Sequence, residues 1–154
     1  MADFRSSIVI HKPVEEVFHY VVSMENVHEL MPNVVKMEKQ TEGQLKAGTI
    51  FLETRLISGR NIQAEVEMTE YTENRSFATK TNSNGLITEY QYHFHPVEEG
   101  TQVDLEATIT TTGLKMRMTK PILVKMIKRE DGNQLVYLKE MFEQDKSETE
   151  TEEE

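Results

Sequence analysis

The sequence predicts an α+β domain: a strongly curved antiparallel sheet of about seven strands wrapped on one long C-terminal helix, with two short helices after the first strand. Three observations predict it. Between residues 33 and 113, six segments of alternating polarity follow one another, separated by turn residues at hairpin spacing. None of the segments between them has a helical period, which disfavours parallel crossover units. Residues 115–144, by contrast, carry apolar side chains at helical spacing among lysines, arginines and glutamates.

Taken in order, "FRSSIVI" from Phe4 to Ile10 is β-rich and ends shortly before Pro13, a residue favoured in the first turn of a helix. Glu15 and Glu16 suit the positive end of that helix, and Val14, Val17, Phe18 and Val21 form one apolar stripe. Ser23 is positioned to cap a second short helix carrying Val27, Leu30 and Met31, ended by Pro32. The strands then run "NVVKMEKQ", "GTIFLETRLI", "NIQAEVEMTEY", "RSFATKT", "TEYQYHFH" and "TQVDLEATITTTG". In the last segment Met118, Ile122, Met126, Leu135, Leu138, Met141 and Phe142 predict one amphipathic helix, with Gly132 a weak point in its middle.

Composition bounds the rest. A chain of 154 residues is ordinary for a single domain, expected over residues 1–144, with 145–154 an acidic, disordered tail. The last ten residues, "DKSETETEEE", hold six acids and one lysine, about half of the net charge of −10. An acidic domain without a basic stripe is repelled by phosphate backbones and anionic bilayers, so neither nucleic acid nor polybasic membrane docking is expected. The absence of cysteine removes disulfides and thiolate chemistry and fits a reducing compartment. With no signal peptide pattern and no run of eighteen apolar residues, a cytoplasmic location without integral membrane association is expected. The expected partner is a small hydrophobic molecule.

Residues two apart on a strand share a face, and most strands here have one dry set and one wet set. Ile62, Ala64, Val66 and Met68 oppose Asn61, Gln63, Glu65 and Glu67; Thr88, Tyr90, Tyr92 and Phe94 oppose Glu89, Gln91, His93 and His95; Val103, Leu105, Ala107 and Ile109 oppose Gln102, Asp104, Glu106 and Thr108. The strand from Thr49 is ambiguous, and Ile50, Leu52, Thr54 and Leu56 are assigned inward against Phe51, Glu53, Arg55 and Ile57. A stripe about 45 Å long on the C-terminal helix is the element able to cover the dry face.

This order of elements is similar to the helix-grip superfamily of START and polyketide-cyclase-like domains. "HKPVEEVFHYVVSMENVHELMPNVVKMEK" resembles that family's opening, "YHFHPVEEGTQVDLEATI" its penultimate hairpin and "REDGNQLVYLKEMFE" its closing helix, over residues 3 to 144. The resemblance rests on patterns, with no catalytic signature. It implies a cavity between sheet and helix for a lipid, sterol, polyketide or isoprenoid-like molecule.

Chemical motifs weigh against a metal centre. His93, His95 and Glu99 have cupin-like spacing, but no later histidine completes a ligand set, and both histidines share the polar face. Turning them inward would expel three aromatic rings, each worth about 1.5–3 kcal/mol on burial. No cofactor is expected, and nucleotide-binding and hydrolase motifs are absent. The expected cavity lining is therefore Ile50, Leu52, Thr54, Ile62, Ala64 and Val66 from the first hairpin; Thr88, Tyr90, Tyr92, Phe94, Leu105 and Ile109 from the last; and Met118, Ile122 and Met126 from the helix. Apolar area would drive affinity while the hydroxyls orient a polar group. This reads as non-catalytic binding or transport. A polyketide cyclase or dehydrase using Tyr90 or Tyr92 as proton donor is the alternative, and an interaction module with a filled cavity is the third reading.

Overall fold

The computed structural model describes residues 2–152, with side chains through residue 143. The chain runs β1 (Phe4–Ile10), α1 (Val14–Val22), a 3-10 turn (Met24–Asn26), α2 (Val27–Leu30), β2 (Val34–Lys39), β3 (Ile50–Ile57), β4 (Arg60–Thr72), β5 (Ser76–Ser83), β6 (Leu86–Val97), β7 (Gly100–Thr111), α3 (Leu114–Asp131) and α4 (Gln134–Glu152). The seven strands form one antiparallel sheet in the order β1-β7-β6-β5-β4-β3-β2. β1 closes the meander by pairing with β7, so the short helices that follow it cross from one edge of the sheet to the other. This is the helix-grip architecture.

Local chemistry sets the hairpins. Ser58 and Gly59 both have positive φ, as do Asn84 and Gly85, the conformation that lets a two-residue turn match the twist of its strands. The first turn pairs Ile57 with Arg60, and the second pairs Ser83 with Leu86 through the β5–β6 register. Register then alternates burial cleanly in β7, where Val103, Leu105, Ala107 and Ile109 are all buried. On the opposite face Asp104 meets His95 at 3.1 Å. Burial opposes its charge, but hydrogen bonds from Ser7 and Gln102, together with His95, hold Asp104 below the usual carboxylate range.

Beneath α1 the core is aromatic. Phe18 meets Phe94 edge-on at 5.2 Å, and Phe77 stacks on Tyr92 at 4.5 Å. Ser23 does not cap the second helical piece: its hydroxyl donates back to the His19 carbonyl at 2.7 Å.

The C-terminal helix is divided. Asp131 ends α3 and Gln134 begins α4, with Gly132 and Asn133 between them. A Cβ at Gly132 would lie 2.2 Å from the Lys128 carbonyl oxygen, so the break is built around a residue without one. The buried residues of the two pieces include Ile127, Asp131, Gln134, Leu135, Leu138 and Phe142, whereas Met118 and Ile122 of the predicted stripe lie at the surface. The segment 145–154, expected as an acidic tail, lies outside the residues whose side chains are described.

Candidate ligand-binding cavity

A cavity of about 130 Å³ lies between the sheet, the short helices and the α3–α4 junction. Its apolar wall comes from Val21, Met24, Val27, Leu30 and Met31 above and from Val66, Phe77 and Leu86 below, with Ile127 of α3 at the side. At one end the lining is half-buried or exposed, through Ile57, Ile62 and Leu86 near the hairpin turns and Met126 of α3. The other end is polar and deeply buried.

That polar end is an ion cluster with two phenols. The Arg55 guanidinium donates through Nε to Glu53 Oε1 at 2.7 Å and through Nη1 to Asp131 Oδ1 at 3.0 Å. Nη2 faces the Met31 sulfur at 3.6 Å. Tyr90 donates its hydroxyl to the second Asp131 oxygen at 2.5 Å, and Tyr92 donates to Gln134 Oε1 at 2.5 Å. Gln134 is fully buried, and its Nε2 has no hydrogen-bond partner among the described residues. Among the described residues, that amide nitrogen is the one fully buried side-chain atom of the cluster without a hydrogen-bond partner.

Burial dominates the titration of this end. It pushes both tyrosines well above their ordinary range, Tyr90 and Tyr92 alike, with Asp131 adding to the effect. For Arg55 burial works against the charge, but Asp131 and Glu53 outweigh it and raise the pKa further. At neutral pH the phenols stay protonated and the guanidinium stays charged.

Of the residues expected to line the cavity, Ile62, Ala64, Val66, Thr88, Tyr90, Tyr92 and Met126 do so. Eight do not. Ile50, Leu52 and Thr54 lie on the outer face of β3, where Thr54 accepts a hydrogen bond from Gln63 at 3.4 Å. Phe94, Leu105 and Ile109 are buried in closed core outside the cavity. Met118 and Ile122 point away from the sheet and are 78% and 71% exposed.

Glu53 and Arg55, expected on the outer face of β3, line the cavity instead. The Ser58–Gly59 turn pairs Ile57 with Arg60, and from there Arg55 opposes Ile62, Glu53 opposes Ala64 and Phe51 opposes Val66. Directly opposed residues share a face, so the dry set of β4 dictates the inward set of β3. The two-residue turn carried that signal; the hydrophobicity of β3 did not. The inward position of Asp131 and Gln134 had a comparable signal. Steps that keep the helical mean of 3.6 residues run back from Phe142 through Leu138 and Leu135 to Asp131 and Ile127, whereas Ile122 and Met118 are reached only by unbroken steps of four, which drift around the helix.

The expected H-x-H pair remains on the outer face, with His93 and His95 rings stacked 6.4 Å apart. Among the described residues no group of three or more His, Asp or Glu side chains is placed to hold a metal ion.

The family described as polyketide cyclase / dehydrase and lipid transport matches residues 1–143. No curated protein matches the chain. Among solved structures, the Zhui aromatase/cyclase from Streptomyces sp. R1128 superposes with a TM-score of 0.74 at 13% identity, covering 91% of this chain and 92% of that one. TTHA0849 from Thermus thermophilus gives 0.71 at 19% identity over 90% of this chain and 94% of its own. The di-domain ARO/CYC StfQ from the steffimycin biosynthetic pathway also gives 0.71, at 16% identity, with 94% of this chain matching 51% of that chain. At these identities the likeness is one of fold.

Proposed function

The chain belongs to the polyketide cyclase/dehydrase and lipid transport family, and from that membership we propose that it binds one small, largely apolar molecule carrying a hydrogen-bond acceptor, without transforming it. The observation that carries this reading is the cavity of about 130 Å³, apolar along its length and polar at one end. Apolar cavities of about 150 Å³ hold a benzene ring, so the site suits a ligand of about one ring unless α3 yields. Affinity would come from apolar burial, and orientation from the spare Gln134 amide donor.

The state of the polar end favours binding over acid–base work. Both phenols already donate to Asp131 and Gln134, and burial keeps them protonated far from neutrality. A general acid or base works best with a pKa near the operating pH.

Native mass spectrometry of gently purified protein should reveal or accept an apolar adduct, and the Ala64→Phe variant, which fills the cavity from β4, should lose it while keeping its fold. Failure of the parent protein to load any apolar compound would overturn the proposal. A second reading, cyclase or dehydrase chemistry, is favoured by one observation: Arg55, Glu53 and Asp131 stand beside Tyr90 at the wall where a substrate would lie. Under it, the Tyr90→Phe/Tyr92→Phe double variant abolishes turnover of a polyketide substrate with ligand affinity nearly intact. Turnover unchanged in that variant removes the phenols from any mechanism.

A further inference from the structure

We propose that the outer face of α3 docks on an anionic lipid bilayer, placing the exposed end of the cavity beside the membrane. Leu114, Met118 and Ile122 are 77%, 78% and 71% exposed. Spaced by four residues, they form one continuous apolar stripe instead of scattered surface contacts. Lys125 and Arg129 continue the same face toward the C-terminal end, with Arg117 and Lys128 along one flank and Lys115 along the other. The whole stripe runs about 22 Å along the helix.

Charge decides the partner. The eighteen residues of α3 hold six lysines and arginines against two acids, and both acids, Glu130 and Asp131, face the cavity. The chain as a whole carries −10. The average charge predicts repulsion from an anionic surface, but this one face reverses the sign. Lys120 is occupied by Asp3 at 3.4 Å; Lys115, Arg117, Lys125, Lys128 and Arg129 have no acidic partner among the described residues. Apolar side chains flanked by cations on the exposed face of one helix suit a surface with hydrocarbon below and negative charge above. No helix among the described residues is long and apolar enough to cross a membrane, so the contact proposed is interfacial.

Position gives the contact a use. The opposite side of the same helix supplies Met126, Ile127 and Glu130 to the cavity, and Ile62, at the half-open end, is 41% exposed. A molecule leaving the bilayer would then meet the cavity without crossing bulk water. The docking surface itself stands whether or not the cavity binds a ligand.

Flotation of the full chain with two vesicle types tests it: phosphatidylcholine alone, and phosphatidylcholine with about a third phosphatidylglycerol, an anionic fraction chosen to create a negative surface potential. Binding should appear on the anionic vesicles and fade as salt shortens the reach of the charges. Lys125→Gln/Arg129→Gln should weaken it by roughly 25-fold, from about fivefold per cation. Met118→Ser/Ile122→Ser should abolish it with an unchanged circular dichroism spectrum, since both side chains are exposed. No binding to anionic vesicles overturns the proposal, as does binding that is equal on neutral vesicles or indifferent to both double variants. A dimer in sedimentation that the Met118→Ser/Ile122→Ser variant dissolves, without vesicle binding by the parent, assigns the face to a second copy and overturns it as well. Because no cavity ligand is added, failure here leaves the binding reading untouched.

Discussion

Arg55 holds two carboxylates apart in a place that water barely reaches, and its loss should be felt more than that of any surface charge. Its side chain is 17% exposed, against 7% for Glu53 and 3% for Asp131. Removing one member of a buried ion cluster costs about 3–5 kcal/mol, because the remaining charges stay buried and unmatched. Arg55→Met is therefore expected to lower the urea midpoint by that equivalent, with Glu53 and Asp131 left facing one another. The phenols set a second expectation, in alkali. Their folded pKa values lie above the unfolded value of 10.0, so the native state holds protons that the unfolded chain releases. That contribution is complete below pH 10 and is lost as pH climbs from there toward the folded values. Above pH 10 stability should fall by up to about 1.4 kcal/mol per pH unit for each tyrosine. Replacing Tyr90 and Tyr92 by phenylalanine should flatten that limb of a stability–pH profile, and an unchanged slope would mean that neither phenol is buried.

At the scale of elements, the six-stranded meander β2 to β7 is legible because polarity alternates and turn residues punctuate the chain, whereas the pairing of β1 with β7 has no such local signal. The exception was β3, where both faces mix apolar and polar residues: Phe51 and Ile57 accompany Glu53 and Arg55, while Leu52 and Leu56 accompany Thr54. Hydrophobicity cannot choose between such sets, whereas the geometry of the Ser58–Gly59 turn can. That choice can be measured. Phe51→Ala should cost about 3–5 kcal/mol, as for a large core ring, and Leu52→Ala less than about 1 kcal/mol. Comparable losses at the two positions would reverse the face. The helix departs from the predicted stripe for a different reason. Buried Asp131 and Gln134 interrupt its apolar stripe, and exposed Leu114, Met118 and Ile122 imitate one. Gly132 marks where the two pieces part. Gly132→Ala should destabilise by about 1–3 kcal/mol through the clash with the Lys128 carbonyl, read as a lowered melting temperature.

For the whole molecule, the sheet and the divided helix together enclose a space that neither could make alone. The apolar lining contributed by β4 and β6 was visible in the sequence, since those strands have one wet and one dry face. The ion cluster was not, because Glu53, Arg55 and Asp131 come from elements 76 residues apart and meet only in the folded chain. Two ligands of nearly equal shape test the central claim most directly: acetophenone, which carries a carbonyl acceptor, and ethylbenzene, which does not. Titration calorimetry should find both bound by the parent protein, acetophenone about tenfold more tightly for one added hydrogen bond, and neither bound by Ala64→Phe. No binding of either compound, or equal binding by the parent and Ala64→Phe, would contradict the account.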